Sequence, residues 1–256
     1  MCYKSWIVSS DHHVPFHDQI IHKAFLEFIK DFKPDGFILN GDFVDMYSIS
    51  RHITGIKDLE DKDKQIIKLK KEFDGANSVL DDYDSVLPRN CEKHYLFGNH
   101  ENRLDRWFDE AMNGVLDGLV SIEDNLFLLE RGYKVYPEYP NGYMEIGKLT
   151  ITHGSWSPIY TASKHLNEYR QSVLFGHTHT SQLFYAGGLG IKQVGFNTGC
   201  MCDIDSKAME YSKKTARWVH GFAIVYSDIT TGYFWVQLLN FFDKKLFYNK
   251  KLYGKK

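Results

Sequence analysis

The chain is poor in the features that divide or anchor proteins. Proline is scarce, six in 256 residues, and no stretch has the Pro, Ser or Gly enrichment of a linker. No internal repeat or low-complexity tract is present either, so the expectation is one domain spanning 1–256. The four cysteines, Cys2, Cys91, Cys200 and Cys202, are too few and too scattered for a disulfide framework. Cys200-x-Cys202 is tighter than a zinc-knuckle CxxC and has no second pair, so it reads as reduced thiols. No apolar run reaches membrane-spanning length, and Met1–Trp6 lacks a signal-peptide core. These features predict a cytoplasmic protein without a membrane partner.

Charge of one sign is also lacking. A formal net charge of −2 gives no global basic field of the kind that marks nucleic-acid binders, although bound cations could supply local positive charge. Basic residues cluster at Lys57–Lys71, where acids alternate with them and predict a solvated helix face. They cluster again at Lys244–Lys256, a more one-sided run that reads as a frayed tail or a weak phosphate-contacting arm. The 43% hydrophobic and 25% charged composition is that of a soluble globular chain.

The first half alternates short apolar runs with helical periodicity. Trp6–Val8, Phe37–Leu39 and Tyr95–Phe97 read as strands. Ile20 to Phe32 reads as a helix stopped by Lys33-Pro34, and Leu59 to Tyr83 as a long helix with Ile66, Ile67, Leu69, Phe73, Ala76 and Leu80 near one face. A further helix is expected over Leu104–Leu119. This order predicts a layered α/β core. The second half is β-rich, with strands at 134–136, 143–146, 149–152, 173–175, 182–186, 191–196, 221–227 and 233–240, and one helix over 160–170.

Five short segments each follow a predicted strand directly: Asp11-His12-His13, Gly41-Asp42-Phe43-Val44-Asp45, Gly98-Asn99-His100-Glu101, His153-Gly154 and Gly176-His177-Thr178-His179. Loops beyond the carboxyl ends of strands form the ligand crevice of open α/β sheets. Carboxylate, imidazole and amide oxygen together suit divalent metals such as Mn, Fe, Co, Ni or Zn. In Asp11-x-His13 and His177-x-His179 the two side chains can turn to one side of a loop. A carboxylate can bridge two ions, which makes Asp42 the natural shared ligand. Glycines before Asp42, Asn99 and His177 permit sharp turns at strand ends. Any one of these histidines alone would read as structural; the ordered set changes that.

The ordered set D-x-H, GDxxD, GNH[D/E], H and GHxH resembles the signature of the calcineurin-like metallophosphoesterases, from Asp11 to His179 and more loosely to Asn197-Thr198-Gly199. The resemblance implies a β-sandwich flanked by helices. It implies one ion held by Asp11, His13, Asp42 and His179, and a second by Asp42, Asn99, His153 and His177. His100 would assist the reacting phosphate, and Asp45 would orient loops or ligands. The reaction implied is hydrolysis of a phosphate ester by metal-activated water. Manganese is the first expectation for the two divalent ions, with Fe, Zn, Ni, Co or Mg as alternatives.

Outside the motifs, Arg103 on the helix after GNHE is a candidate phosphate clamp. Arg51, His52 and His12 are candidate substrate contacts, since the first two follow Asp45 closely and the third lies in the first loop. The remaining histidines default to core or surface roles. Phe97 stands where protein Ser/Thr phosphatases carry Arg, Met46-Tyr47 replaces their RG, and GHTH looks more like the family's phosphodiesterases and nucleases, while Glu101 leans the other way. A phosphodiesterase acting on nucleotides or nucleic acid is therefore the expectation. A phosphomonoesterase (including a phosphoprotein phosphatase) and a noncatalytic metal-binding scaffold are the alternatives. Oligomeric state is left open.

Overall fold

A computed structural model describes residues 3–50, 62–111, 121–188, 191–206 and 217–254. Its first half builds β1 (Tyr3–Ser9), α1 (Gln19–Phe32), β2 (Gly36–Asn40), α2 (Lys62–Val86), β3 (Glu92–Leu96), α3 (Arg103–Ala111), a short α4 (Ile122–Asn125) and β4 (Tyr133–Tyr136). The four strands lie side by side and parallel, with Trp6 opposite Gly36, Leu39 opposite Tyr95 and Leu96 opposite Tyr136. Two later strands, β10 (Gly221–Asp228) and β11 (Phe234–Asn240), extend this sheet antiparallel beyond β1, giving the order β11-β10-β1-β2-β3-β4.

The second sheet holds β5 (Tyr143–Ile146), β6 (Leu149–Thr152), β7 (Val173–Phe175), β8 (Ser181–Gly188) and β9 (Ile191–Thr198) in the order β5-β6-β7-β9-β8, with α5 (Thr161–Tyr169) between β6 and β7. Side-chain alternation decides how the sheets stack. In the first sheet Ile7, Phe37, Leu39, Tyr95, Phe222 and Ile224 point to one face, where they pack with Phe25 and Phe28 of α1 and Phe73, Leu80 and Tyr83 of α2. The alternate residues Trp6, Val8, Ile38, Leu96, Ala223 and Val225 point to the other face. There they meet Met144, Ile146, Leu149, Ile151, Leu174 and Phe196 of the second sheet. The result is the expected mixed α/β architecture, a β-sandwich flanked by helices.

α1 starts where Asp18 accepts from the Ile20 and Ile21 amides, and it ends with Lys33 in the left-handed region. Ile66 and Ile67 of α2 are exposed at 44% and 57%, contrary to expectation. The buried stripe of that helix instead runs through Leu69, Phe73, Ala76, Leu80 and Tyr83. The helix expected over Leu104–Leu119 is described only as far as Ala111, and Leu59 lies outside the described residues.

As far as Gly254, where the described residues end, the C-terminal basic run is neither frayed nor free. It forms a hairpin of β12 (Lys245–Tyr248) and β13 (Lys251–Gly254). Tyr248 and Tyr253 pack edge-on against Phe28. Lys251 pairs with Glu27 and Asp31, and Lys244 with Asp18. Tyr248 and Tyr253 thus cover α1 while Phe242 and Phe247 stay exposed, and two of the tail's lysines are tied down by acids of that helix and its cap.

No helix among the described residues is long and apolar enough to cross a membrane.

Candidate metal centre

The five motif loops follow β1, β2, β3, β6 and β7. The parallel strands of the two sheets end together, so loops that span most of the chain meet at one edge of the sandwich. Five of the expected ligands, Asp11, His13, Asp42, His177 and His179, sit at positive φ, between 52° and 70°. Left-handed backbone costs a residue with a Cβ about 1–2 kcal/mol, and such strain collects where side-chain direction matters more than stability.

The glycines serve the site differently from expectation at two of three positions. Gly41 has φ +81°, a turn in the expected sense, but Gly98 and Gly176 are not left-handed. A Cβ on Gly98 would lie 2.2 Å from Asp42 Oδ1, and one on Gly176 would lie 1.9 Å from Ser10 Oγ and 2.5 Å from Asp11 Oδ2. These two glycines let loops approach closely.

Asp42 is the hub. Its Oδ2 lies 3.3 Å from His153 Nε2, 3.8 Å from His100 Nε2 and 3.9 Å from His13 Nε2, and its Oδ1 accepts from the His100 amide. To one side, His179 Nε2 lies 3.2 Å from Asp11 Oδ1 and 3.0 Å from His13 Nε2. To the other, His177 Nδ1 lies 2.8 Å from Asn99 Oδ1. Two of the groups able to hold a cation are Asp11, His13 and His179, and Asp42, His153 and His177. All seven expected ligands are brought together. Asn99 and His177 are half-buried, as are the neighbouring Asn102, Arg103 and Thr178, so the centre opens on that side.

The neighbours of these rings decide which nitrogens face inward. His153 Nδ1 donates to Asn40 O at 2.8 Å, so the neutral ring turns a lone pair at Nε2 toward Asp42 Oδ2. That buried nitrogen has no hydrogen-bond partner. Two acceptors facing each other at 3.3 Å need a proton or a cation between them. Without a cation the proton is held: burial opposes charge on His153, but the carboxylates of Asp42 and then Asp11 outweigh it and lift its pKa to about 10. His13 Nδ1 is 2.8 Å from Asp45 Oδ2, which turns His13 Nε2 toward the centre. Burial, then the neighbouring His100, lowers His13 to about 4. Asp11 is buried, which raises its pKa, yet His179 beside it pulls it down to about 2.

The donor set fits divalent cations. Two ligands on one ion at about 2.0–2.2 Å lie roughly 2.8–3.6 Å apart, depending on the angle. The pairs Asn99–His177, His13–His179, Asp11–His179 and Asp42–His153 measure 2.8, 3.0, 3.2 and 3.3 Å. Four carboxylates, Asp11, Asp42, Asp45 and Glu101, are buried together, a costly concentration of negative charge that cations would offset.

His100 and Asp45 sit beside this hub. His100 Nδ1 lies 2.9 Å from the Asp45 carbonyl and 3.2 Å from its carboxylate. Burial lowers the basicity of His100, and Asp42 and then Asp45 outweigh it, so the net direction is upward. Arg103 donates to the Asp45 carbonyl at 2.8 Å and lies 2.9 Å from His100 Nε2. Asp45 therefore orients both His13 and His100.

Other expected contacts fare differently. His12, expected to touch substrate, is turned away from the opening. Its ring is 1% exposed, packs edge-on against Phe43 and Tyr83 and meets Ser9 Oγ through Nε2. Left-handed backbone at Asp11 and His13 flanks His12, and His12 enters the helix-side core while its two neighbours face the centre. Arg51 and His52 lie outside the described residues.

Two contributors escaped the motif reading. Glu101, weighed only for what it says about subfamily, accepts from the amides of Asp42, Phe43, Val44 and Gly98 and from the Tyr95 hydroxyl, at 2.7–3.2 Å. It staples the second and third loops together. Cys202 places its sulfur 3.7 Å from His179 Nδ1. The only forewarning was the position of Cys200-x-Cys202 just after Asn197-Thr198-Gly199. A separate groove of about 990 Å³, lined by Lys148, Tyr185, Tyr233 and Trp235 among others, contains none of the motif residues.

No family model matches the sequence. The chain is 25% identical over 247 residues to the Gene 54 protein of Mycobacterium phage L5, covering 88% of this chain and 89% of that protein. It is 26% identical over 241 residues to the Gene 54 protein of Mycobacterium phage D29, with the same coverage. Among solved structures it is similar to wild-type Vps29 complexed with zinc from Entamoeba histolytica, at 14% identity and a TM-score of 0.47, over 97% of this chain and 96% of that one. It is also similar to YfcE, a phosphoesterase from E. coli, at 13% identity and a TM-score of 0.39, over 87% and 91%.

Proposed function

We propose that the chain is a calcineurin-like metallophosphoesterase, a dinuclear metal-dependent phosphodiesterase acting on nucleotides or nucleic acid. The observation that carries the reading is the buried His153 Nε2, without a hydrogen-bond partner and 3.3 Å from Asp42 Oδ2, in a ring of donors spaced as ligands of shared cations. Asp11, His13, Asp42 and His179 would hold one ion, with Asn99, His153 and His177 joining Asp42 on the other; manganese is the proposed metal. When bound, such ions supply Lewis acidity, which activates water near neutral pH and neutralises charge on the phosphate.

The protein groups do the rest. Asp45 and Asn40 fix the rings of His13 and His153 so that Nε2 faces inward. Glu101 holds the Asp42 and Gly98 backbones in register. His100 Nδ1 faces the Asp45 carboxylate and its Nε2 accepts from the Arg103 guanidinium at 2.9 Å; once Arg103 turns to the substrate, His100 would deliver a proton from Nε2 to the leaving oxygen, a contribution of about 10²–10⁴ in rate. The Arg103 guanidinium beside it would take an equatorial phosphate oxygen. The half-buried rim of Asn99, Asn102 and Thr178 would admit the substrate.

The test is hydrolysis of bis-p-nitrophenyl phosphate against p-nitrophenyl phosphate with added Mn²⁺, with Asp42→Asn and His100→Ala alongside. Faster turnover of the diester, lost on chelation and in Asp42→Asn, supports the proposal. Preference for the monoester replaces it with a phosphatase, and metal binding without turnover of either replaces it with a noncatalytic scaffold.

A further inference from the structure

Three imidazoles of the centre need a proton on Nδ1 if Nε2 is to face a cation, and each such proton needs an acceptor. For His13 that acceptor is the Asp45 carboxylate, and for His153 it is the Asn40 carbonyl. His179 has neither. Its Nε2 faces Asp11 and His13, and the atom that meets its Nδ1 is the sulfur of Cys202, at 3.7 Å. The pair is sealed from water, with His179 4% exposed and Cys202 fully buried.

The surroundings fix both partners in place. The Trp218 ring packs on His179 with centroids 4.0 Å apart. The Cys202 carbonyl accepts from His220 Nε2 at 2.8 Å, and its backbone bridges to His17. Cys200 Sγ lies within 4.8 Å of both Cys202 Sγ and a His179 ring nitrogen, but it donates to the Val219 carbonyl at 3.7 Å, and the thiol in contact with the imidazole is that of Cys202. One thiol of the Cys-x-Cys pair is thus aimed at the imidazole.

We propose that Cys202 is the positioning residue of His179, its sulfur accepting the Nδ1 proton so that the Nε2 lone pair is presented to the cation beside Asp11 and His13. Sulfur here takes the place that oxygen holds behind His13 and His153. The inference rests on the metal-centre reading above. It makes the site selectively sensitive to this side chain: removing the acceptor frees the ring to place its proton on Nε2, which blocks one ion and leaves the other.

The experiment measures binding of two Mn²⁺ equivalents by competition with a chelator for wild type, Asp42→Asn, Cys202→Ala, Cys202→Ser and Cys200→Ser. On Zn²⁺-loaded protein, long-range ¹⁵N–¹H histidine spectra identify the protonated nitrogen of His179. The expected result is a 10–100-fold weakening of one equivalent in Cys202→Ala, the loss typical of removing a ligand's supporting group. Cys202→Ser, which restores an acceptor, recovers most of it, Cys200→Ser matches wild type, and the wild-type spectrum carries the His179 proton on Nδ1. Affinity within twofold of wild type in Cys202→Ala, with the tautomer unchanged, overturns the inference while leaving the metal centre intact. A third equivalent of Cd²⁺ with thiolate charge-transfer absorption, lost in Cys202→Ala, also overturns it, because sulfur and Nδ1 would then be ligands themselves. Absence of any Asp42-dependent binding in wild type removes the metal centre and this inference with it.

Discussion

Replacing Glu101 by glutamine tests whether the loops are held by this carboxylate or hold themselves. The side chain is 1% exposed and accepts five hydrogen bonds, from the amides of Asp42, Phe43, Val44 and Gly98 and from Tyr95 Oη. Glutamine keeps one acceptor oxygen and turns the other into an NH₂ donor. In the orientation that preserves the Phe43, Val44 and Tyr95 bonds, that donor faces the Asp42 and Gly98 amides. Two buried N–H groups lose their acceptor, at about 1–3 kcal/mol each. Part of this is returned, because burial and then the Asp42 charge make ionised Glu101 itself costly and raise its pKa. A net loss of roughly 2–4 kcal/mol follows from these opposing effects. Urea unfolding in the presence of a chelator reads it as a lower midpoint at unchanged slope. Cation affinity should fall as well, since the Asp42 and Gly98 backbones are no longer tied together. A change below about 0.5 kcal/mol, the range of ordinary surface substitutions, with wild-type cation affinity, would refute the reasoning.

Gly176→Ala places a methyl 1.9 Å from Ser10 Oγ and 2.5 Å from Asp11 Oδ2. It should cost about 1–3 kcal/mol as an overpacked contact, read by urea unfolding, and should weaken cation binding through Asp11. Saturating Mn²⁺ at 100 times its dissociation constant should add about 2.7 kcal/mol for each ion bound. For a domain of this size that raises the melting temperature by roughly 6–10 °C, and the rise should vanish in Asp42→Asn. His165 is buried between Phe175 and the Thr161 carbonyl, and burial lowers its pKa to about 4. The unfolded chain takes up a proton below about pH 6.5 that the folded ring refuses. Stability of the cation-free protein should therefore fall as pH drops from about 6.5 toward 4, by roughly 1 kcal/mol per pH unit from this ring. His165→Gln should flatten that slope; an unchanged slope counts against the neutral, buried imidazole.

The donor set and the loops that carry it were legible in the sequence, because both are local. Ile7, Phe37 and Tyr95 sit in short apolar runs whose ends coincide with Asp11, Asp42 and Asn99. The residue types Asp, His and Asn carry their ligand chemistry wherever the chain puts them. The alternation of core and sandwich faces, Ile7 against Trp6 and Val8, follows from the two-residue period of a strand.

What periodicity could not supply was direction and partnership between distant segments. The burial of His12 depends on Phe43 and Tyr83, and the exposure of Ile66 and Ile67 depends on which stripe of α2 meets the sheet. The tail's hairpin depends on the aromatic face of α1, and a basic run has no periodicity that announces it. The sequence alone thus determined which atoms could bind a cation and in what order along the chain. The tertiary structure decided which nitrogen of each ring faces inward. That choice lies with the atom behind each ring, Asp45 for His13, Asn40 for His153 and Cys202 for His179, supplied by a different loop or strand end.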